Sequence, residues 1–290
     1  MPALCHPWRG NTRSLVSITA QGLCFGLLAA GFTPDIAAAG DDDAQLSVLS
    51  RHLSAPDSSV HESVNAPSAP FTRSATAQGP KRAKFELERA SRQARHVADW
   101  VVDSGDNRNM PFAIVDKTDA RVFVFDADGR LRGAAAALLG LARGDDAVPG
   151  IGERALSSIR PAERTTPAGR FVAALDRNVH GKEILWVDYD TAISMHPVVT
   201  SNPVERRAQR LATPTPLDNR ISYGCINVPA KFFENVVHTV FAGTNGIVYV
   251  LPETRSARAV FASYDVDERE RLQNAGEAVP AQVAAAASRH

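Results

Sequence analysis

The middle of this 290-residue chain consists of short apolar runs divided by turn residues, a pattern that suits a β-dominated domain and not a helical bundle. Phe112-Ala113-Ile114-Val115 and Arg121-Val122-Phe123-Val124-Phe125 are the clearest runs, with Lys117-Thr118-Asp119-Ala120 as the turn between them. Asp126-Ala127-Asp128-Gly129 makes a second turn, and Asp-Gly between apolar runs signals a hairpin. Further strands are expected over 169–175, 184–187, 192–195 and 247–251. One helix is expected over 230–242, with Pro229 before it, Gly243 just past it, and Phe233, Val236, Val237, Val240 and Phe241 as its apolar stripe. Residues 110–254 therefore read as a mainly β domain with few helices, a sandwich or partly closed barrel, long enough for one core.

The flanks have other compositions. Arg9 and Arg13 precede an apolar run, and Ala37-Ala38-Ala39 reads as a cleavage site before Gly40, so residues 1–39 are expected to be a secretory signal peptide. An uncleaved N-terminal anchor is the alternative, although Ser17, Thr19 and Gln21 interrupt the run, and no later segment suits a membrane span. Residues 40–82, rich in Ser, Ala and Pro, read as a flexible linker. Residues 83–105 place Phe85, Leu87, Ala90, Ala94, Val97, Ala98 and Val101 at helical spacing, which predicts an amphipathic helix docked on the domain. Residues 255–290 form a charged, then Ala-rich tail with a short helix near 267–276. The 32 Lys and Arg balance the 32 Asp and Glu, which gives no global reason to bind nucleic acid.

Of three cysteines, Cys5 and Cys24 would leave with the signal peptide. A lone Cys225 in an exported protein has no internal disulfide partner, and an accessible thiol there invites a chemical role. It lies in Arg220-Ile221-Ser222-Tyr223-Gly224-Cys225-Ile226-Asn227-Val228-Pro229, where Gly224 allows a close backbone approach. A thiol needs a neighbouring base to become an effective nucleophile. His196 is the candidate, at the end of the strand Ala192-Ile193-Ser194-Met195 and before Pro197. His180 and His238 are lesser candidates. No metal-ligand spacing and no phosphate-binding glycine loop is present, so no cofactor is expected.

These residues resemble the L,D-transpeptidase catalytic domain (the YkuD-type fold). Ser222, Gly224, Cys225 and Asn227 match its Ser/Thr-His-Gly-Cys-x-Asn/Arg segment, His196 looks like its upstream histidine, and Thr166-Pro167-Ala168-Gly169-Arg170-Phe171 resembles its earlier Thr-Pro-x-Gly-x-Phe stretch. The resemblance implies a periplasmic or cell-envelope enzyme acting on peptidoglycan stem tetrapeptides. Cys225 would be the nucleophile that forms a thioester, and His196 its base. Backbone N–H groups around Gly224 and Cys225 would stabilise the oxyanion, Ser222 and Asn227 would hold the loop, and Arg220 would pair with a stem carboxylate or be merely solvated.

Two departures from the family stand out. Tyr223 replaces the histidine before Gly-Cys, and a phenol with a pKa near 10 is a poor base at neutral pH, so this position is expected to wall the cleft. His196 and Ser222 lie 26 positions apart, a longer gap than the family's, and the intervening Pro203, Arg206, Arg207, Arg210, Pro214 and Pro216 read as a loop or lid. Three readings stay open: a transpeptidase, an L,D-carboxypeptidase in which water replaces the acceptor amine, and a weak or inactive relative that binds wall peptides.

Overall fold

The computed structural model describes residues 79–275; the expected signal peptide, most of the linker and the end of the tail lie outside them. Eight strands form a mixed sheet. They are β1 (Phe112–Asp116), β2 (Arg121–Phe125), β3 (Leu131–Ala136), β5 (Gly169–Arg177), β6 (Glu183–Asp188), β7 (Ile193–Pro197), β9 (Ile226–Val228) and β10 (Gly246–Val250). Their order is β3-β2-β1-β10-β5-β6-β7-β9. Only β1–β10 and β7–β9 pair in parallel; the other neighbours are antiparallel. Leu138, just past β3, exchanges both backbone hydrogen bonds with Asn227 of β9, at 2.8 and 2.9 Å. The two sheet edges thus meet, and the fold is the partly closed barrel of the two expected forms. A short parallel pair, β4 (Leu139–Gly140) with β8 (Arg220–Ser222), continues from that junction.

Strand alternation divides the apolar residues into two cores. Ala113, Val115, Val122, Val124, Val248 and Val250 face one core with Met195 and Ile226. Phe112, Ile114, Phe123, Phe125, Ile247 and Tyr249 face the other. These strands are buried on both faces, which is why they read as continuous apolar runs. The first core is covered by α3 (Ala230–Phe232), a π-helical stretch (Phe233–His238) and α4 (Thr239–Phe241). The expected helix therefore exists, but its middle is wound wider than an α-helix.

The second core is covered by α1 (Arg92–Ser104) and α5 (Ala257–Phe261). Ser91 caps α1 by accepting from Ala94 N–H at 3.0 Å, and Gly105, at φ 70°, ends it. Residues 83–91 are not helical, contrary to the periodicity. Lys84 instead exchanges backbone hydrogen bonds with Gly129 and Leu131, and Phe85 packs edge-on against Phe123 and Phe125. The aromatic contacts at the end of the second hairpin outweigh the helical pattern there. Among the described residues, no helix is long and apolar enough to cross a membrane.

Candidate functional site

β7 and β9 run in parallel with His196 opposite Asn227 and Met195 opposite Ile226. Side chains alternate along a strand, so Met195 and Ile226 enter the first core while Ser194, His196, Cys225 and Asn227 share the opposite face. Parallel pairing thus gathers residues about 30 positions apart into one patch. His196 belongs to the strand itself, which extends through Pro197.

Contrary to the expected accessible thiol, Cys225 is buried, 6% exposed, because β6 packs Ile184 and Trp186 against it. Ser194 Oγ donates toward its sulfur at 3.7 Å, and the thiol reaches Ala192 O at 3.7 Å. Gly224, at φ 140°, makes the turn into the cysteine; a Cβ there would lie 2.6 Å from Ile193 Cδ1 and 2.9 Å from Thr165 O. Ser222 Oγ donates to Cys225 O at 2.6 Å and accepts from Gly224 N–H at 3.1 Å. Ser222 therefore holds the loop, and the Gly224 N–H is engaged within it rather than aimed at an oxyanion. Thr166 Oγ1 donates to Gly224 O at 2.7 Å and accepts from Gly140 N–H at 2.9 Å, tying the loop to β4.

His196 is 5% exposed. Its Nδ1 donates to Pro197 O at 2.8 Å, and its Nε2 accepts from Asn227 Nδ2 at 3.1 Å. His196 lines a cavity of about 340 Å³ with Pro197, Thr200 and Ser201 and with Asn178, His180 and Lys182 of the β5–β6 turn. Cys225 lines a second, tighter cavity of about 30 Å³ with Ile151, Thr165, Ile193 and Tyr223. The Arg164 guanidinium stacks over the Tyr223 ring at 3.7 Å, so this tyrosine is an aromatic wall beside the thiol. Among the described residues, no cluster of His, Cys, Asp or Glu suits a metal ion.

Arg220 is not placed as a substrate-binding cation. Its Nη2 donates to Glu253 at 2.7 Å and to Lys117 O at 2.9 Å, inside a buried network that also holds Asp145. His238 pairs with Glu183 at 3.3 Å. The stretch expected as a lid folds into a 3-10 turn (Pro203–Glu205) and α2 (Arg207–Ala212), pinned by Arg210 donating to Glu205 O at 2.8 Å and Asp218 O at 2.5 Å. Arg207, part of the expected lid, is 7% exposed and reaches Asn227. The parts of the site that sequence reasoning missed are Ser194, Arg207 and the anchoring role of Thr166. Thr166 carried a signal, the Thr-Pro-x-Gly stretch; Ser194 carried only its strand parity with His196.

No family model and no curated protein matches the chain. Solved structures with a partial likeness include a set of L,D-transpeptidases. The catalytic domain of the E. faecium enzyme is 18% identical, covering 49% of this chain and 98% of that one, with a TM-score of 0.29. An L,D-transpeptidase from Mycobacterium tuberculosis is 17% identical, covering 48% and 57%, with a TM-score of 0.31. The helical cell shape determining protein Pgp2 from Campylobacter jejuni is 17% identical, covering 59% and 58%, with a TM-score of 0.34. The chain spans 62% and 58% of the two Pgp2 chains it resembles.

Proposed function

We propose that this protein is an exported cysteine L,D-transpeptidase acting on peptidoglycan stem tetrapeptides. The observation that carries the reading is the shared face of β7 and β9, which presents a thiol, a hydroxyl, an imidazole and an amide together beside two cavities. His196 Nε2 carries no proton when it accepts from Asn227 Nδ2, the state a base requires, and that Asn227 bond gives way when the ring takes a proton. In the proposed reaction His196 takes the Cys225 proton as sulfur attacks the carbonyl that joins the diamino acid's L-centre to terminal D-alanine. The C–N bond breaks, the proton passes to the departing amine, and D-alanine leaves a thioester. An amine from a second stem attacks that thioester, gives its proton back through His196, and frees the thiol with a new amide cross-link formed.

The test is mass spectrometry of the purified protein incubated with tetrapeptide muropeptides, beside Cys225→Ala. Loss of D-alanine with a cross-linked dimer, absent in the variant, is the expected result. D-alanine loss without dimer makes the protein an L,D-carboxypeptidase. Binding with neither turnover nor acyl adduct would leave a non-catalytic wall-binding protein and overturn the enzyme reading.

A further inference from the structure

A chain of three hydrogen bonds runs from α2 through the imidazole to the Pro197 carbonyl. Arg207 Nη1 donates to Asn227 Oδ1 at 2.7 Å. With Oδ1 so occupied, the Asn227 amide must turn its Nδ2 toward His196, where it lies 3.1 Å from Nε2. An amide NH₂ only donates, so Nε2 accepts and the ring proton sits on Nδ1, opposite the Pro197 carbonyl at 2.8 Å, which only accepts. Asn227 is fully buried, so no water competes for the amide, and its Nδ2 also lies 3.5 Å from Cys225 O, an acceptor that favours the same orientation. Glu205 Oε2, 2.5 Å from Arg207 Nε, holds the guanidinium in place.

We propose that Arg207 is a positioning residue which, through Asn227, locks His196 in the tautomer that keeps the ring proton on Nδ1 and leaves Nε2 unprotonated, its lone pair held by the Asn227 amide until the ring takes a proton. The inserted segment between His196 and Ser222 thereby completes the base from behind. The inference rests on the proposed reaction for its catalytic meaning, but the tautomer is a property of the resting protein. In an imidazole with the opposite tautomer, Nε2–H would face Nδ2–H of the amide, two donors in contact, and the acceptor would be lost.

Two variants of the full chain test it, read by ¹⁵N NMR of the His196 ring in mildly alkaline buffer, where free imidazole is neutral, and by kinetics. Asn227→Asp keeps a partner for Arg207 but presents only acceptors to the ring. It is expected to place a proton on Nε2, either by moving the Nδ1 proton or by charging the ring, and to lower kcat about tenfold or more with little change in KM. Arg207→Met frees the amide to turn; mixed tautomers and a fall in kcat are expected, with Arg207→Lys restoring most of both. If Arg207→Met does not fold, Asn227→Asp still decides, because the buried cation keeps its partner there. An Asn227→Asp ring that stays protonated on Nδ1 alone, or an Arg207→Met loss confined to KM, would overturn the proposal. Failure of the wild-type protein to turn over muropeptides would count against the proposed function only, since the tautomer is read without substrate.

Discussion

Thr166→Val is the sharpest test of how the cysteine loop is held. The two side chains are nearly the same shape, so the change removes a hydroxyl and little else. That hydroxyl serves two buried backbone groups, Gly140 N–H at 2.9 Å and Gly224 C=O at 2.7 Å. Water has no room to replace it, since even a Cβ at Gly140 would lie 2.4 Å from Arg164 O and 2.7 Å from Thr166 N. Leaving a buried donor or acceptor unpaired costs about 1–3 kcal/mol each, so the pair costs about 2–6 kcal/mol. For a domain of this size about 3 kcal/mol lowers Tm by roughly 6–12 °C. Scanning calorimetry measures the shift, and the rate of iodoacetamide labelling reports whether the Cys225 loop has loosened. Thr166→Ser, which keeps the hydroxyl, is the control and should label at the wild-type rate. A Val variant that melts within about 1 °C of wild type and labels at its rate would refute the reasoning, because such a result corresponds to well under the 1 kcal/mol of a single buried hydrogen bond.

Three further outcomes are expected. Gly224→Ala forces a side chain into φ 140° and against Ile193 and Thr165 O; it should cost about 1–3 kcal/mol in urea unfolding and slow muropeptide turnover, and wild-type behaviour in both would show that the turn has room. Burial alone would raise the Asp145 pKa, but Thr254, Lys117 and backbone N–H donors outweigh it and hold the carboxyl well below the usual carboxylate range. Because its folded pKa lies below its unfolded one, its stabilisation is complete above about pH 4 and is lost as pH falls through the folded value. Asp145→Asn should therefore lower stability at neutral pH and flatten the acid limb of a urea-midpoint series, whereas a parallel acid limb would sink the assignment. Tyr223→Phe keeps the ring under Arg164 and should melt with wild type, while Tyr223→Ala gives up about 0.5–2 kcal/mol of cation–π contact; equal melting of the two would remove the stack as a stabilising element.

Local chemistry in the sequence was enough to mark the strands, because β1, β2 and β10 bury both faces and show as unbroken apolar runs. It also marked Cys225 and His196, through the glycine before one and the strand around the other. It misjudged residues 83–91, where an apolar spacing that suits a helix is used instead to seat Phe85 among aromatic rings. It also misjudged the arginines. Arg220 and Arg207 look alike on paper as exposed loop cations, yet one is tied to Glu253 and the other to Asn227.

The amino-acid sequence by itself determined the β character of the domain, its turns and the cysteine that its glycine-bearing loop presents, since each follows from residues within a few positions of one another. Only the tertiary structure decided which side chains meet that thiol. Closure of the barrel at Leu138 and Asn227, and the parallel register of β7 with β9, bring Ser194 to Cys225, Asn227 to His196, and Thr166 to Gly224 across separations of 31, 31 and 58 residues. A register shift of one residue in β9 would turn Asn227 to the face opposite His196, and such a register is set by the packing of both cores rather than by any local signal.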